Sequence, residues 1–212
     1  MNLNEPFVIA INRELGSGGS TVASVLSSKL NIPFYGKVLI RELEKKYNLT
    51  KEEIERLKGK KKSWWDDFDT LVRPFVDASQ KDFLDHYIEA ELTPTSENVF
   101  AAEKEILQGI AQNGSCIVTG RTAFWVFKDH PNFLSVFIKS PIEHRIARVM
   151  VKQNMSREDA TKLIDKLDEM RENYVQRYTG TSRYDARNYD LVINMNGLTE
   201  EKAAQLILDY IG

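Results

Sequence analysis

Short apolar runs alternate along most of this chain with segments whose apolar residues recur at helical spacing. Residues 7–11 form an uninterrupted apolar run, which is typical of a strand buried on both faces of a sheet. Val22, Val25, Leu26 and Leu30 then follow the spacing of one helical face. Further buried strands are predicted at residues 32–35, 116–119, 133–138 and 190–195. Five strands that alternate with helices predict a single α/β domain built on a parallel sheet.

The helices between these strands have recognisable starting signals. Ser140, Pro141 and Glu143 provide an N-cap, a first-turn proline and a capping-box glutamate after the fourth predicted strand. A long polar helix is predicted over about residues 155–177, and a final helix over residues 199–211. This long helix carries few large apolar residues, so we expect that little holds it against the rest of the domain without an anionic ligand.

The composition narrows the class of protein. Twenty-nine Lys and Arg against thirty-one Asp and Glu give a net charge of −2, which argues against broad electrostatic binding to nucleic acid or to an anionic membrane. One cysteine and three histidines favour neither a disulfide framework nor a His-rich zinc site. The chain has no apolar segment of transmembrane length and no signal peptide, so a cytoplasmic protein is expected.

The turn between the first strand and the first helix is rich in glycine. Gly16, Gly18 and Gly19 precede Ser20 and Thr21 at a position where phosphate groups commonly bind in α/β sheets. Glycines let the backbone approach an anion closely, and the helix N-terminus adds partial positive charge. The alternative is a tight strand-to-helix turn without a ligand.

Aligned on the P-loop pattern G-x-x-x-x-G-K-[ST], this turn departs at two positions. Arg13 occupies the place of the first glycine, and Gly19 occupies the place of the lysine. The Arg13 guanidinium is a candidate replacement for the missing ammonium group, because arginine binds phosphate oxygens in a bidentate manner. The alternative is an ion pair with Glu14 or another carboxylate. As a residue at the mouth of the loop, Arg13 is expected to contribute little to the core.

Four sequence motifs occur in a fixed order along the chain. They are GSGG at 16–19, IPFYGKVLI at 32–40, IVTGR at 117–121 and YDLVIN at 189–194. Together they resemble the bacterial cytidylate kinase-like proteins, divergent relatives of cytidylate kinase in the nucleoside-monophosphate kinase group of P-loop proteins. The likeness extends over about residues 6–211.

This resemblance implies a three-layer P-loop kinase fold, with a five-stranded parallel sheet flanked by helices. The single domain would comprise a core, a helical insertion that closes over the monophosphate and a lid that closes over ATP. The core corresponds to residues 6–40, 99–153 and 188–212, the insertion to about 41–98 and the lid to about 154–187.

The resemblance also implies binding roles for the loop and for two arginines. ATP phosphates would bind the six loop residues Gly16, Ser17, Gly18, Gly19, Ser20 and Thr21, with the hydroxyl of Ser20 or Thr21 facing Mg²⁺. Arg41 and Arg121 would bind the phosphate of the acceptor nucleotide.

Further arginines are implied to neutralise the transferring charge. Arg145 and Arg148 lie three residues apart on one helix face, and Asp168 and Arg171 match the lid's Asp-x-x-Arg element. With Arg13, these arginines would stabilise the transferring phosphoryl group. Without the resemblance, charged residues on amphipathic helices are more often solvated surface.

Three functions remain open on this reasoning. The first is ATP-dependent phosphoryl transfer to a nucleoside monophosphate, with CMP or dCMP favoured. The second is a nucleotide- or phosphate-binding regulatory protein with little kinase activity, which the substitutions Gly19 and Thr119 at family positions favour. The third is a kinase for another small acceptor, since fold alone does not determine substrate. The oligomeric state is not predicted.

Overall fold

The computed structural model describes residues 1–36, 97–120 and 122–212. Five strands form one sheet within these residues, in the order β2-β3-β1-β4-β5, and every neighbouring pair is parallel. The strands are β1 (Val8–Arg13), β2 (Phe34–Tyr35), β3 (Cys116–Thr119), β4 (Phe133–Lys139) and β5 (Leu191–Asn194). The predicted five-stranded parallel sheet is therefore confirmed.

The described helices lie between these strands, and the last helix follows β5. They are α1 (Gly19–Leu30), α2 (Glu97–Gln112), α3 (Ala123–Val126), α4 (Ile142–Gln153), α5 (Arg157–Thr179) and α6 (Glu200–Ile211). A 3₁₀ turn, Ala186–Asn188, precedes β5. The sequence pattern did not predict α3 or the 3₁₀ turn, because elements this short do not establish a periodicity.

The sheet is covered on both faces, which gives a three-layer arrangement. On one face Ile9 and Ile11 of β1 pack in a cluster with Leu26 of α1 and Ile207 of α6. On the other face Val8 and Ala10 pack with α2. Successive side chains of a strand point to opposite faces, so the uninterrupted apolar run of β1 supplies both layers.

The first strand extends two residues further than its apolar run predicts. Asn12 and Arg13 continue the pairing with β4, and Arg13 lies opposite Ile138. Arg13 is only 4% exposed. The expectation of an open-cleft residue that contributes little to the core is therefore wrong, because β-pairing carries the strand past its last apolar residue.

The starts of the last three helices differ in how they are capped. Ser156 and Thr199 are N-caps whose side chains accept hydrogen bonds from the backbone N–H groups of Asp159 and Lys202. At α4 the N-cap is Pro141 and no side chain caps the helix, contrary to the prediction for Ser140. The Ser140 N–H instead donates to Glu14 Oε2 at 3.0 Å, because the glycine loop lies beside this helix.

No helix among the described residues has both the length and the apolar character that crossing a bilayer requires. Most of the predicted monophosphate-side insertion, including Arg41, lies outside the described residues.

Candidate nucleotide-binding site

The glycine loop lies at the carboxyl edge of the sheet, between β1 and α1. Because β1 is the central strand, its carboxyl end is flanked by those of β3 and β4. In parallel α/β sheets this edge is where ligands bind. The predicted location of the phosphate-binding loop therefore fits the topology.

The first half of the loop is held by hydrogen bonds to neighbouring elements. The Glu14 N–H donates to the Ile138 carbonyl at 3.1 Å, and the Ser17 hydroxyl donates to the Glu14 carbonyl at 2.9 Å. Leu15 is bound at both backbone groups, since its N–H donates to Asp168 Oδ1 at 3.2 Å and its carbonyl accepts from Arg145 Nε at 2.8 Å. The loop is thus tied to α4 and α5 before any ligand is considered.

The second half of the loop has free backbone donors. The N-cap of α1 is Gly18, which has no side chain to cap the helix. Among the described residues, nothing accepts a hydrogen bond from the N–H of Gly18, Gly19, Ser20 or Thr21. Unsatisfied N–H groups at the positive end of a helix are the donors that a phosphate requires.

The Arg13 side chain passes between two glycines. A Cβ atom on Gly19 would lie 2.6 Å from Arg13 Cβ, and a Cβ atom on Gly120, after β3, would overlap Arg13 Nη1. Side chains at positions 13 and 19 therefore exclude one another. This overlap gives a physical reason why glycine, rather than lysine, follows Gly18 in a chain with arginine at position 13.

Arg148 lies over the second half of the loop, residues 18–21, which we call the open half; residues 14–17 are the closed half. Its Nη2 donates to the Thr21 hydroxyl at 3.0 Å, its Nη1 pairs with Glu200, and its Cζ would lie 3.6 Å from a Cβ atom on Gly18. The Thr21 hydroxyl is thereby engaged, which leaves Ser20 as the better of the two predicted metal-facing hydroxyls.

Asp168 of α5 lies at the centre of a buried cluster that also contains Arg145, Arg171 and Arg183; we call these four residues the Asp168 cluster. Asp168 Oδ2 accepts from Arg145 Nη2, and Asp168 Oδ1 lies 3.6 Å from Arg171 Nη1 and 3.7 Å from Arg183 Nη1. The structure thus brings together three of the predicted site residues, Arg145, Asp168 and Arg171.

Apolar contacts also hold α5 in place. Ala160 and Ile164 are buried with Ile146 and Val149 of α4. The expectation that little apolar surface holds the predicted lid is therefore wrong. Polar residues dominate the sequence of α5, but Ala160, Leu163 and Ile164 lie on the face that meets α4, and Tyr174 and Tyr178 contact Phe100 of α2.

The sequence analysis missed Arg183, which lies between α5 and β5. Its side chain is fully buried, and its Nη2 donates to the carbonyl of Arg13, as does Arg171 Nη1 at 3.4 Å. Burial, together with the charge of Arg171, lowers the pKa of Arg183 from its ordinary value. No periodicity marks this segment, so nothing in the sequence distinguishes Arg183 from a surface arginine.

Tyr189 connects Arg183 to the first strand. Its hydroxyl donates to the Arg183 carbonyl at 2.7 Å and accepts from Asn12 Nδ2 at 2.8 Å. Burial raises the pKa of this tyrosine, so it stays neutral and keeps its proton for the hydrogen bond. Asn12 and Tyr189 therefore help to position Arg183.

The donor set for a metal ion is small. The described residues contain no group of three or more His, Cys, Asp or Glu side chains that could hold a metal ion by themselves. Arg121, predicted to bind the acceptor phosphate, lies outside the described residues.

Comparisons of this chain with known proteins identify one family and cytidylate kinases as its relatives. The family model for the cytidylate kinase-like family matches residues 8–197. The chain is 27% identical over 204 residues to a cytidylate kinase from Sulfolobus acidocaldarius, covering 96% of this chain and 93% of that protein. It is 25% identical over 209 residues to a cytidylate kinase from Pyrobaculum islandicum, covering 96% and 92% of the two chains.

Solved structures show the same fold at low sequence identity. The crystal structure of an uncharacterised protein from Eubacterium ventriosum superposes with a TM-score of 0.70 at 24% identity, covering 97% of this chain and 98% of that one. A gluconokinase from Sinorhizobium meliloti superposes with a TM-score of 0.54 at 12% identity, covering 97% and 93%. With the strand order, these likenesses show the three-layer α/β fold of P-loop kinases.

Proposed function

The chain belongs to the cytidylate kinase-like family, and from this premise we propose that it transfers a phosphoryl group from ATP to a nucleoside monophosphate. CMP and dCMP are the favoured acceptors, since two relatives that align over nearly the whole chain are cytidylate kinases. The observation that carries the proposal is the open half of the glycine loop. Its four N–H groups have no described acceptor and lie at the sheet edge beside buried arginines.

The proposed roles follow from this geometry. The N–H groups of residues 18–21 bind the phosphates of ATP, and the Ser20 hydroxyl would hold Mg²⁺, which neutralises phosphate charge when bound. Arg148 and the arginines of the Asp168 cluster neutralise the rest of the negative charge. Arg41 and Arg121 are proposed to bind the acceptor phosphate. The attacking oxygen belongs to that phosphate and is already ionised, so no general base is needed.

Arg13 is proposed to replace the loop lysine. Its side chain runs from β1 past Gly19 to Gly120, so its guanidinium lies between the ends of β1 and β3. Under the proposed function, donor and acceptor phosphates meet at this edge of the sheet. The usual P-loop has glycine at the position of Arg13 and lysine at the position of Gly19. In this chain the cationic side chain and the glycine would thus have exchanged positions.

One observation favours the second candidate, a nucleotide-binding regulatory protein with little kinase activity. Thr119 ends β3 at a position where the resemblance to cytidylate kinases implies an aspartate. Its hydroxyl is fully buried and has no hydrogen-bond partner among the described residues. A threonine cannot supply the negative charge of an aspartate near the metal. Phosphate binding tolerates that loss better than catalysis does.

Two measurements on the intact protein separate these functions. Calorimetry reports binding of ATP and CMP, and an ADP-release assay with a panel of monophosphates and small acceptors reports turnover with Mg²⁺. Release of ADP with CMP or dCMP supports the proposal. Binding without turnover supports the regulatory protein, and turnover only with a non-nucleotide acceptor would contradict the proposed substrate class.

A further inference from the structure

A carboxylate lies at the open half of the glycine loop, next to the position proposed for phosphate. Glu200 begins helix α6, and a Cβ atom on Gly18 would lie 3.2 Å from Glu200 Oε1. Gly18 is the N-cap of α1, so this carboxylate is close to the positive end of that helix. The helix end that is proposed to attract a phosphate therefore already has a negative charge beside it.

Glu200 and Arg148 together extend over the open half. Glu200 Oε1 pairs with Arg148 Nη1, and Arg148 Nη2 donates to the Thr21 hydroxyl at 3.0 Å. In the described part of the chain, no hydrogen bond joins the Glu200 carboxylate to the N–H groups of residues 18–21. The carboxylate thus lies near those donors without satisfying them, and its partner is the arginine that is proposed to contact the nucleotide.

The construction of α6 does not explain a carboxylate at this place. The N-cap is Thr199, whose hydroxyl accepts a hydrogen bond from the Lys202 N–H at 3.3 Å. The first turn contains a second acidic residue, Glu201, which is exposed. Ile207 anchors the helix in the core that it shares with α1. Other residues therefore provide the cap, the first-turn charge and the packing of the helix.

Glu200 also lowers the positive potential on the neighbouring face of α4. Lys152 lies one helical turn after Arg148 and shares that face. Burial, and then the charge of Arg148, lower the pKa of Lys152, whereas the charge of Glu200 raises it. The carboxylate thus interacts with both cations. Neutralising it would make this side of the loop more attractive to an anion.

Glu200 has two opposing effects on a phosphate that binds at the open half. Its ion pair orders the Arg148 side chain, which saves part of the entropy of fixing one arginine. Its charge repels the phosphate and competes with it for the same guanidinium. Repulsion between two charges a few ångströms apart in partly buried surroundings is the larger of the two effects, so competition is expected to dominate.

We propose that the Glu200 carboxylate is an internal competitor of the nucleotide phosphates for Arg148 and for the N-terminus of α1. It gives up the arginine when a polyphosphate binds, and it thereby sets the affinity of the loop. This inference rests on the phosphate-binding part of the proposed function and is independent of the acceptor.

The test measures how a neutral residue at position 200 changes the binding of phosphate ligands. Calorimetry in Mg²⁺-free buffer at one ionic strength gives the Kd of ATP and of inorganic tripolyphosphate for the wild type and for Glu200→Gln. Glutamine keeps the length of the side chain and still accepts a hydrogen bond from Arg148, so the charge alone is removed. Glu200→Gln is expected to bind both ligands roughly threefold to tenfold more tightly.

Glu201→Gln is the matched control, because it removes the same charge from an exposed position in the same helical turn. It is expected to change either Kd by less than about twofold, since solvent and salt screen an exposed charge. If Glu200→Gln does not fold, Glu200→Ala, for which tighter binding of both ligands is also expected, decides the question.

Three results would overturn the proposal. Weaker binding of both ligands by the Glu200 variant would show that the carboxylate positions Arg148 for the ligand. A gain for ATP without a gain for tripolyphosphate would mean that Glu200 acts on the nucleoside and not on the phosphates. An equal gain in Glu201→Gln would show a general effect of net charge.

These outcomes differ from a failure of the proposed function. A wild-type protein that binds ATP and tripolyphosphate but phosphorylates no monophosphate would contradict the kinase activity and leave the comparison of the variants intact. If neither the wild type nor the Glu200 variant binds either ligand, both proposals are contradicted.

Discussion

Helix α4 contributes two arginine–carboxylate pairs to the candidate site, and the two pairs lie at different depths. The side chains of Arg145 and Asp168 are 8% and 11% exposed, whereas those of Arg148 and Glu200 are 30% and 21% exposed. Both arginines face the glycine loop, as their spacing on the helix predicts. Arg145 contacts the closed half of the loop, and Arg148 lies over the open half.

This difference in depth gives Arg145 a structural role in the loop that Arg148 does not share. The Arg145 pair connects the Leu15 backbone to both α4 and α5, so it holds the loop in shape. The Arg148 pair lies beside free N–H groups and keeps part of its surface accessible. Two arginines that look equivalent in the sequence are therefore expected to respond differently to mutation.

The largest effect is expected from removing the carboxylate of the buried pair. Asp168→Ala leaves three guanidinium groups without their shared partner and is expected to lower the free energy of unfolding by about 3–5 kcal/mol. Glu200→Ala, the matched change in the accessible pair, is expected to cost about 1 kcal/mol or less. Urea denaturation measures both values. Similar losses in the two variants would show that depth does not distinguish the pairs.

The second-largest effect on stability is expected from a steric clash between side chains at positions 13 and 19. Gly19→Lys is expected to cost about 1–3 kcal/mol in unfolding free energy, because its Cβ would overlap Arg13 Cβ. Arg13→Gly removes that overlap, so the double variant is expected to be more stable than the sum of the single changes predicts. A double-mutant cycle measures the coupling, and additive losses would contradict a direct clash.

A smaller effect, on ligand rather than on fold, is expected at the accessible pair. Arg148→Met is expected to weaken ATP binding about tenfold while changing the free energy of unfolding by no more than about 1 kcal/mol. Calorimetry and urea denaturation provide the two measurements. Arg157→Met, an exposed arginine paired with Glu143, is the control. Unchanged ATP affinity in Arg148→Met would argue that this arginine only pairs with Glu200.

The smallest effect is expected at Cys116, which lies in β3 away from both pairs. Burial raises the pKa of its thiol to about 12, so the reactive thiolate is scarce at pH 8 and the sulfur is covered. We expect iodoacetamide to leave the native protein unmodified and to alkylate it only in denaturant, as mass spectrometry would detect. Rapid alkylation of the native protein would mean that β3 opens locally.

Much of the fold was predictable because local sequence carries its signal. The apolar runs predicted all five strands of the sheet, and the sequence pattern predicted the last two helices within about two residues of their observed bounds. Two errors, at Arg13 and at Ser140, share one cause. The pairing of β1 with β4 extends the strand, and the adjacent Glu14 takes the Ser140 N–H; both are contacts between segments distant in sequence.

The sequence by itself determined the parallel sheet, the position of the glycine loop and the family, since periodicity and short motifs are local properties. Only the tertiary structure decided the surroundings of the charged residues. It buried Arg13 between two glycines, separated Arg145 from Arg148 by depth and placed Arg183 against the loop. The energy of a charge depends on its distance from water and from other charges, and those distances are established only when remote segments pack together.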